Sequence, residues 1–136
     1  MVQKYQKLII YTDGGARGNP GPAGIGVVIS DGHKIIRQIA EYIGETTNNQ
    51  AEYKAVIRAL AESKNLRADE LEFYLDSELV VRQLNREYKV KNKELAPLFM
   101  KVYNLSQGFK KVTFKHVIRE RNQAADALVN KALDER

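Results

Sequence analysis

The 136-residue chain contains no cysteine, no tryptophan, two histidines and three prolines. Without cysteine, disulfides and thiolate metal sites are excluded, and two histidines leave little for imidazole metal centres. No apolar run is long enough to cross a bilayer, and the polar start Met1 to Lys7 lacks the apolar core of a signal peptide, so a cytoplasmic location is expected. Hydrophobic residues make up 43% and charged residues 29% of the chain, a balance that points to neither a membrane span nor extended disorder. The length fits one domain, residues 1–136, that buries a core without covalent staples.

Acidic residues are outnumbered. There are 17 Asp and Glu against 22 Lys and Arg, a formal charge of +5 that attracts polyanions. The densest basic run is Arg82 to Lys93, where Arg82, Arg86, Lys89, Lys91 and Lys93 oppose only Glu87, with Tyr88 among them. Such a run is either a solvated face or a grip on a nucleic-acid backbone, which salt would weaken.

The chain is organised around Leu8-Ile9-Ile10-Tyr11-Thr12-Asp13-Gly14-Gly15. A β-branched and aromatic run stopping at an acid and two glycines reads as a buried strand that delivers a carboxylate to the sheet's edge. An Asp before Gly-Gly can also merely cap a turn. The loop Gly14 to Pro22 is rich in Gly and Pro but is not a phosphate loop, because no Gly-Lys-Ser/Thr closes it and a strand follows. Ala23 to Ser30 is that strand, Asp31-Gly32 signals a hairpin, and Lys34 to Ile43 is a third strand. Gly24 and Gly26 suggest a bulge or the close approach of another backbone.

Beyond Thr46-Thr47-Asn48-Asn49 the period becomes helical, with Ala51, Ala55, Val56, Ala59 and Leu60 running to about Ser63. Glu70 to Asp76 alternates as a fourth strand and also ends on an acid. A helix from Ser77 to Arg86 follows, then a third from Glu94 to Ser106 with Pro97 in its first turn. Val112 to Ile118 is a fifth strand, Arg119-Glu120-Arg121 a short turn, and Asn122 the cap of a last helix. This element order predicts an α/β fold with a five-stranded mixed sheet in the order 3-2-1-4-5 and helices on both faces. A crevice then opens at the carboxyl ends of strands one and four, where Asp13 and Asp76 sit.

Glu52 lies near the start of the first helix and Asp126 near the start of the last. Each acid has a structural excuse: Asn49 to Glu52 has capping-box spacing, Asp76-Ser77 can cap a helix, and Asp126 can answer a helix dipole. Together they would repel one another in one crevice unless protons or cations neutralise them. Hard oxygen ligands select Mg²⁺ or Mn²⁺, and two such ions suit displacement at phosphorus.

Tyr11-Thr12-Asp13-Gly14-Gly15, then Gly18-Asn19-Pro20-Gly21-Pro22, Thr46 to Glu52, Asp76-Ser77 and Asn122 to Asp126 resemble, in order, the type I ribonuclease H family. The resemblance implies a metal-dependent endonuclease that cuts the RNA strand of an RNA/DNA hybrid, leaving 3′-hydroxyl and 5′-phosphate ends. It matches Asp13, Glu52, Asp76 and Asp126 to the acids that bind two metal ions, Glu52 also nearing the ribose 2′-hydroxyl. It matches Gly14, Asn19, Asn48, Asn49 and Ser77 to positions that hold the hybrid. Double-stranded RNA is a second candidate partner, and the expected state is a monomer. The competing reading is a catalytically idle module binding hybrid or double-stranded RNA on the same fold.

Two departures stand out. Many relatives carry a catalytic His before the last acid, whereas the connection Val117 to Asn122 has none. His116 falls within the fifth strand, and Arg119 is the expected occupant of the role, acting electrostatically because a guanidinium does not shuttle protons. The long basic protrusion of many bacterial relatives is also missing, its place held by Glu87 to Lys93 as in the compact archaeal-type branch. Glu78 adds negative charge beside the site.

Overall fold

The structure is a computed structural model that describes residues 4–136. Strands β1 (Tyr5–Ala16), β2 (Gly21–Ser30) and β3 (Ile35–Thr46) form an antiparallel meander. Helix α1 (Asn48–Asn65) crosses over to β4 (Ala68–Leu75), which lies parallel to β1. Helices α2 (Glu78–Leu84) and α3 (Ala96–Ser106) lead to β5 (Lys111–His116), parallel to β4, and a 3₁₀ turn (Arg119–Arg121) leads to α4 (Gln123–Asp134). The sheet order is β3-β2-β1-β4-β5, as the alternation of strands and helices predicts.

The main core lies where α1, α2 and α3 cover one sheet face. Leu8 and Ile10 of β1 and Phe73 and Leu75 of β4 pack with Tyr53, Val56 and Leu60 of α1, all buried. Burying Phe73 alone contributes about 2–3 kcal/mol, and its ring stacks on Phe114 of β5 at 5.2 Å between centroids. The Tyr53 hydroxyl donates to Gln83 Oε1 at 2.7 Å, so neither buried group is left without a partner.

Helix α4 lies against the opposite face, over β2 and β3. Gly26 permits this: a Cβ there would stand 2.1 Å from the Ala125 carbonyl oxygen. A register shift also falls between Ala23 and Gly24, so both readings of these glycines, bulge and close approach, hold.

Several boundaries differ from the sequence reading. β1 begins at Tyr5, whose amide donates to the Arg67 carbonyl and starts the pairing with β4. β3 runs on to Thr46, where it pairs with Gly21. α2 ends at Leu84 because Arg86 takes a left-handed conformation, φ 63°, and Asn85 turns its amide to the Phe114 carbonyl of β5 at 3.0 Å. α3 starts at Ala96 because the Asn92 side chain folds over the Glu94 and Leu95 amides, and Pro97 supplies none of its own.

Candidate active site

The crevice arises where two neighbours of β1 part. β4 pairs with β1 only as far as Tyr11↔Tyr74, while β2 stays paired through Ala16. Asp13, two residues past the parting, and Asp76, just beyond β4, therefore face one opening. The cavity there is about 500 Å³, and its lining includes Asp13, Glu52, Asp76, Asp126 and Arg119.

Glu52 reaches the opening from α1 because β1 is pressed against that helix. A Cβ on Gly14 would lie 2.3 Å from the Ala51 carbonyl, so only glycine allows the approach. The Gly14 amide donates to Glu52 Oε1 at 2.7 Å and to Asp13 Oδ1 at 3.0 Å. Thus Glu52 is not part of a capping box. The α1 cap is Thr47, whose hydroxyl accepts from the Gln50 amide, and the Glu52 carboxylate is left for the crevice.

Asp13, Glu52 and Asp76 each bring a carboxylate oxygen within 4.8 Å of the others. Burial is the largest cause pushing the Asp13 carboxyl up to about 7, and the Asp76 charge is the next. Glu52, 6% exposed, is pushed well above the usual carboxylate range by burial first and then by Asp13 and Asp76. Asp126, in the first turn of α4, is the outer acid; its charge also raises Asp13. A donor set of clustered carboxylates, costly to ionise together, fits a hard divalent cation.

Of the expected substrate contacts, Gly14, Asn48, Asn49, Ser77 and Arg119 line the cavity. Asn19 instead accepts from the Asn48 amide at 2.9 Å, and Asn48 accepts from the Ala16 amide at 2.7 Å. These bonds stitch the Gly-rich loop to the start of α1. Ser77 caps α2, accepting from the Val80 amide at 3.3 Å, so the cap is the serine and not Asp76. His116 is exposed at the end of β5 and is absent from the cavity lining, whereas Arg119 opens the 3₁₀ turn that borders it.

Three further groups were not foreseen. Arg17 and Asn130 also line the cavity, and Arg17 pairs with Asp134 at 2.7 Å. The one charged residue in an otherwise Gly- and Pro-rich loop was the available signal for Arg17. Asn122 holds the N-cap position of α4, as expected, but its side chain makes no cap bond and donates instead to the Thr12 carbonyl at 2.9 Å and to Asp76 Oδ2 at 3.0 Å. Nothing local announces this, because both partners are distant in sequence. Glu78 and Glu87 both pair with Arg82 at 3.3 Å, so the negative charge of Glu78 is partly answered, and Lys89, Lys91 and Lys93 stay exposed.

Comparison with known proteins bears on this geometry. Residues 11–132 match the family described as reverse transcriptase-like. The chain is 40% identical over 130 residues to the bifunctional protein Rv2228c of Mycobacterium tuberculosis, covering 94% of this chain and 36% of that protein. It is 40% identical over 126 residues to ribonuclease HI of Halobacterium salinarum, covering 92% of this chain and 63% of that one. It thus spans about a third of the mycobacterial relative's length. The crystal structure of the Halobacterium salinarum enzyme superposes with a TM-score of 0.93 at 39% identity, covering 96% of this chain and 99% of that one. LC11-RNase H1 in complex with an RNA/DNA hybrid superposes with a TM-score of 0.90 at 49% identity, covering 94% and 97%. Among the described residues no helix is long and apolar enough to cross a membrane. Sequence identity over nearly the whole chain, the strand order and the acid-lined crevice agree, and the chain belongs to the type I ribonuclease H family.

Proposed function

We propose that the protein is a metal-dependent endoribonuclease that hydrolyses the RNA strand of RNA/DNA hybrids, leaving 3′-hydroxyl and 5′-phosphate ends. The observation that carries this reading is the convergence of Asp13, Glu52 and Asp76 within 4.8 Å at the parting of β1 and β4. The hybrid held by LC11-RNase H1 on the same fold supports the substrate.

Asp13, Glu52, Asp76 and Asp126 would hold two Mg²⁺ or Mn²⁺ ions. When bound, such ions supply a water of lowered pKa and neutralise charge developing at phosphorus. The protein's own contribution is positional. Gly14 fixes Glu52 through its amide. Asn48, Asn49 and Ser77 present polar groups to the hybrid, with Asn19 bracing Asn48. Glu52 stands to test the ribose 2′-hydroxyl, the group that separates RNA from DNA. Arg119 places a fixed positive charge beside the scissile phosphate or the leaving oxygen. The domain acts as a monomer, and its cysteine-free composition suits the cytoplasm.

The test is cleavage of an end-labelled RNA/DNA hybrid, with duplex RNA and duplex DNA alongside, in Mg²⁺, Mn²⁺ or chelator. Cutting of the hybrid's RNA strand that needs metal and is lost in Asp76→Asn is the expected result. Binding without cutting in every metal would leave an idle binding module instead.

A further inference from the structure

We infer that Asn122 is a positioning residue of the carboxylate cluster, whose side-chain amide locks the Asp76 carboxylate against β1 in the orientation a cation needs. The inference rests on the metal-dependent reading above and adds to it a group outside the four acids.

Asn122 is 1% exposed, and both hydrogens of its Nδ2 are committed, one to the Thr12 carbonyl and one to Asp76 Oδ2. The two acceptors lie on β1 and just past β4, the strands that part to form the crevice. A single amide therefore sets the spacing between the residue before Asp13 and the carboxylate of Asp76. Holding Oδ2 also fixes the rotation of that carboxylate, and so the direction of its other oxygen. The main chain of Asn122 accepts from the Asp126 amide at 3.1 Å and donates to the Arg119 carbonyl at 2.9 Å. Segments carrying Asp13, Asp76, Arg119 and Asp126 are thus joined at one residue.

A capping role would place the side-chain oxygen on an amide of α4. Here no such bond forms, and Oδ1 is buried without a partner. An orphaned buried acceptor is unfavourable for stability, so the residue's geometry serves its two donors. A partner that orients a metal ligand commonly changes metal affinity by about 10–100-fold when removed.

The experiment is calorimetric titration of the metal-free chain with Mn²⁺ alone, comparing wild type, Asn122→Ser, Asn122→Ala and Val102→Ala. Serine caps helices about as well as asparagine but is too short to bridge Thr12 and Asp76. Val102, buried in α3 away from the crevice, controls for general loss of stability. Expected is Mn²⁺ affinity about tenfold weaker in Asn122→Ser, unchanged in Val102→Ala, with hybrid kcat lowered and KM held. Asn122→Ala carries the same expectation and stands in if the serine variant does not fold. Unchanged Mn²⁺ affinity in a folded Asn122 variant, or an equal loss in Val102→Ala, overturns the inference. Failure of the wild type itself to bind Mn²⁺ would overturn the metal-dependent reading instead, and the two failures are distinct.

Discussion

Replacing Asp76 with Asn should abolish cleavage and yet stabilise the metal-free protein. The rise of the Asp13 carboxyl from 3.8 to about 7 corresponds to about 4 kcal/mol against holding it ionised in the fold. Burial is the largest cause and the Asp76 charge the second, so removing that charge relieves on the order of 1 kcal/mol. Glu52 gains as well, since Asp76 raises it too. The hydrogen bond from Asn122 survives, because the Oδ1 of an Asn at position 76 still accepts. For a domain of this size about 1 kcal/mol raises Tm by roughly 4 °C. The pH dependence has a definite sign. A carboxyl whose folded value is raised stabilises the fold below its unfolded value and loses that contribution as pH climbs through the folded one. The metal-free wild type should therefore weaken between about pH 4 and pH 7, and the gain from Asp76→Asn should be near zero at about pH 4 and clearly larger at about pH 8, above the Asp13 value. Thermal melts in chelator at both pH values check this. A lower Tm for Asp76→Asn at the higher pH, or an equal shift at both, would refute the argument from repulsion.

Gly26→Ala forces a Cβ to 2.1 Å from the Ala125 carbonyl and should cost about 3 kcal/mol in urea unfolding as α4 is pushed from the sheet; a loss under about 1 kcal/mol would contradict the close approach. Arg119→Ala should lower kcat by about 10–100-fold with KM within about twofold, since a fixed charge near the reacting phosphate acts in the transition state. Unchanged kcat would return Arg119 to the surface. Without a long basic protrusion, hybrid affinity measured on Asp76→Asn should fall at least about 100-fold between roughly 50 and 200 mM salt, and replacing Lys89, Lys91 and Lys93 with Ala should flatten that slope. An affinity that barely responds to salt would refute a grip built on phosphate contacts.

What the sequence determined by itself was whatever depends on local periodicity and on residue chemistry. Alternation in Glu70 to Asp76 and helical spacing after Ala51 were enough for the strand order, because right-handed crossovers leave few ways to arrange five strands. The four acids were legible as candidates because Asp13 precedes Gly14-Gly15, Asp76 follows a strand, and Glu52 and Asp126 fall near the starts of helices; all four line the cavity at the parting of β1 and β4. Contacts between distant segments were not legible. Glu52 has capping-box spacing, but α1 is capped two residues earlier than that spacing implies, and its carboxylate turns to Gly14, 38 residues away. Asn122 has the look of a helix cap, yet its amide is spent 110 and 46 residues away. Arg86 stops α2 through a left-handed backbone that no composition signals. For Glu52 and Asn122 a local preference worth about 1 kcal/mol gives way to a buried or charge-assisted bond worth as much or more, and only the packed tertiary structure brings that competing partner within reach.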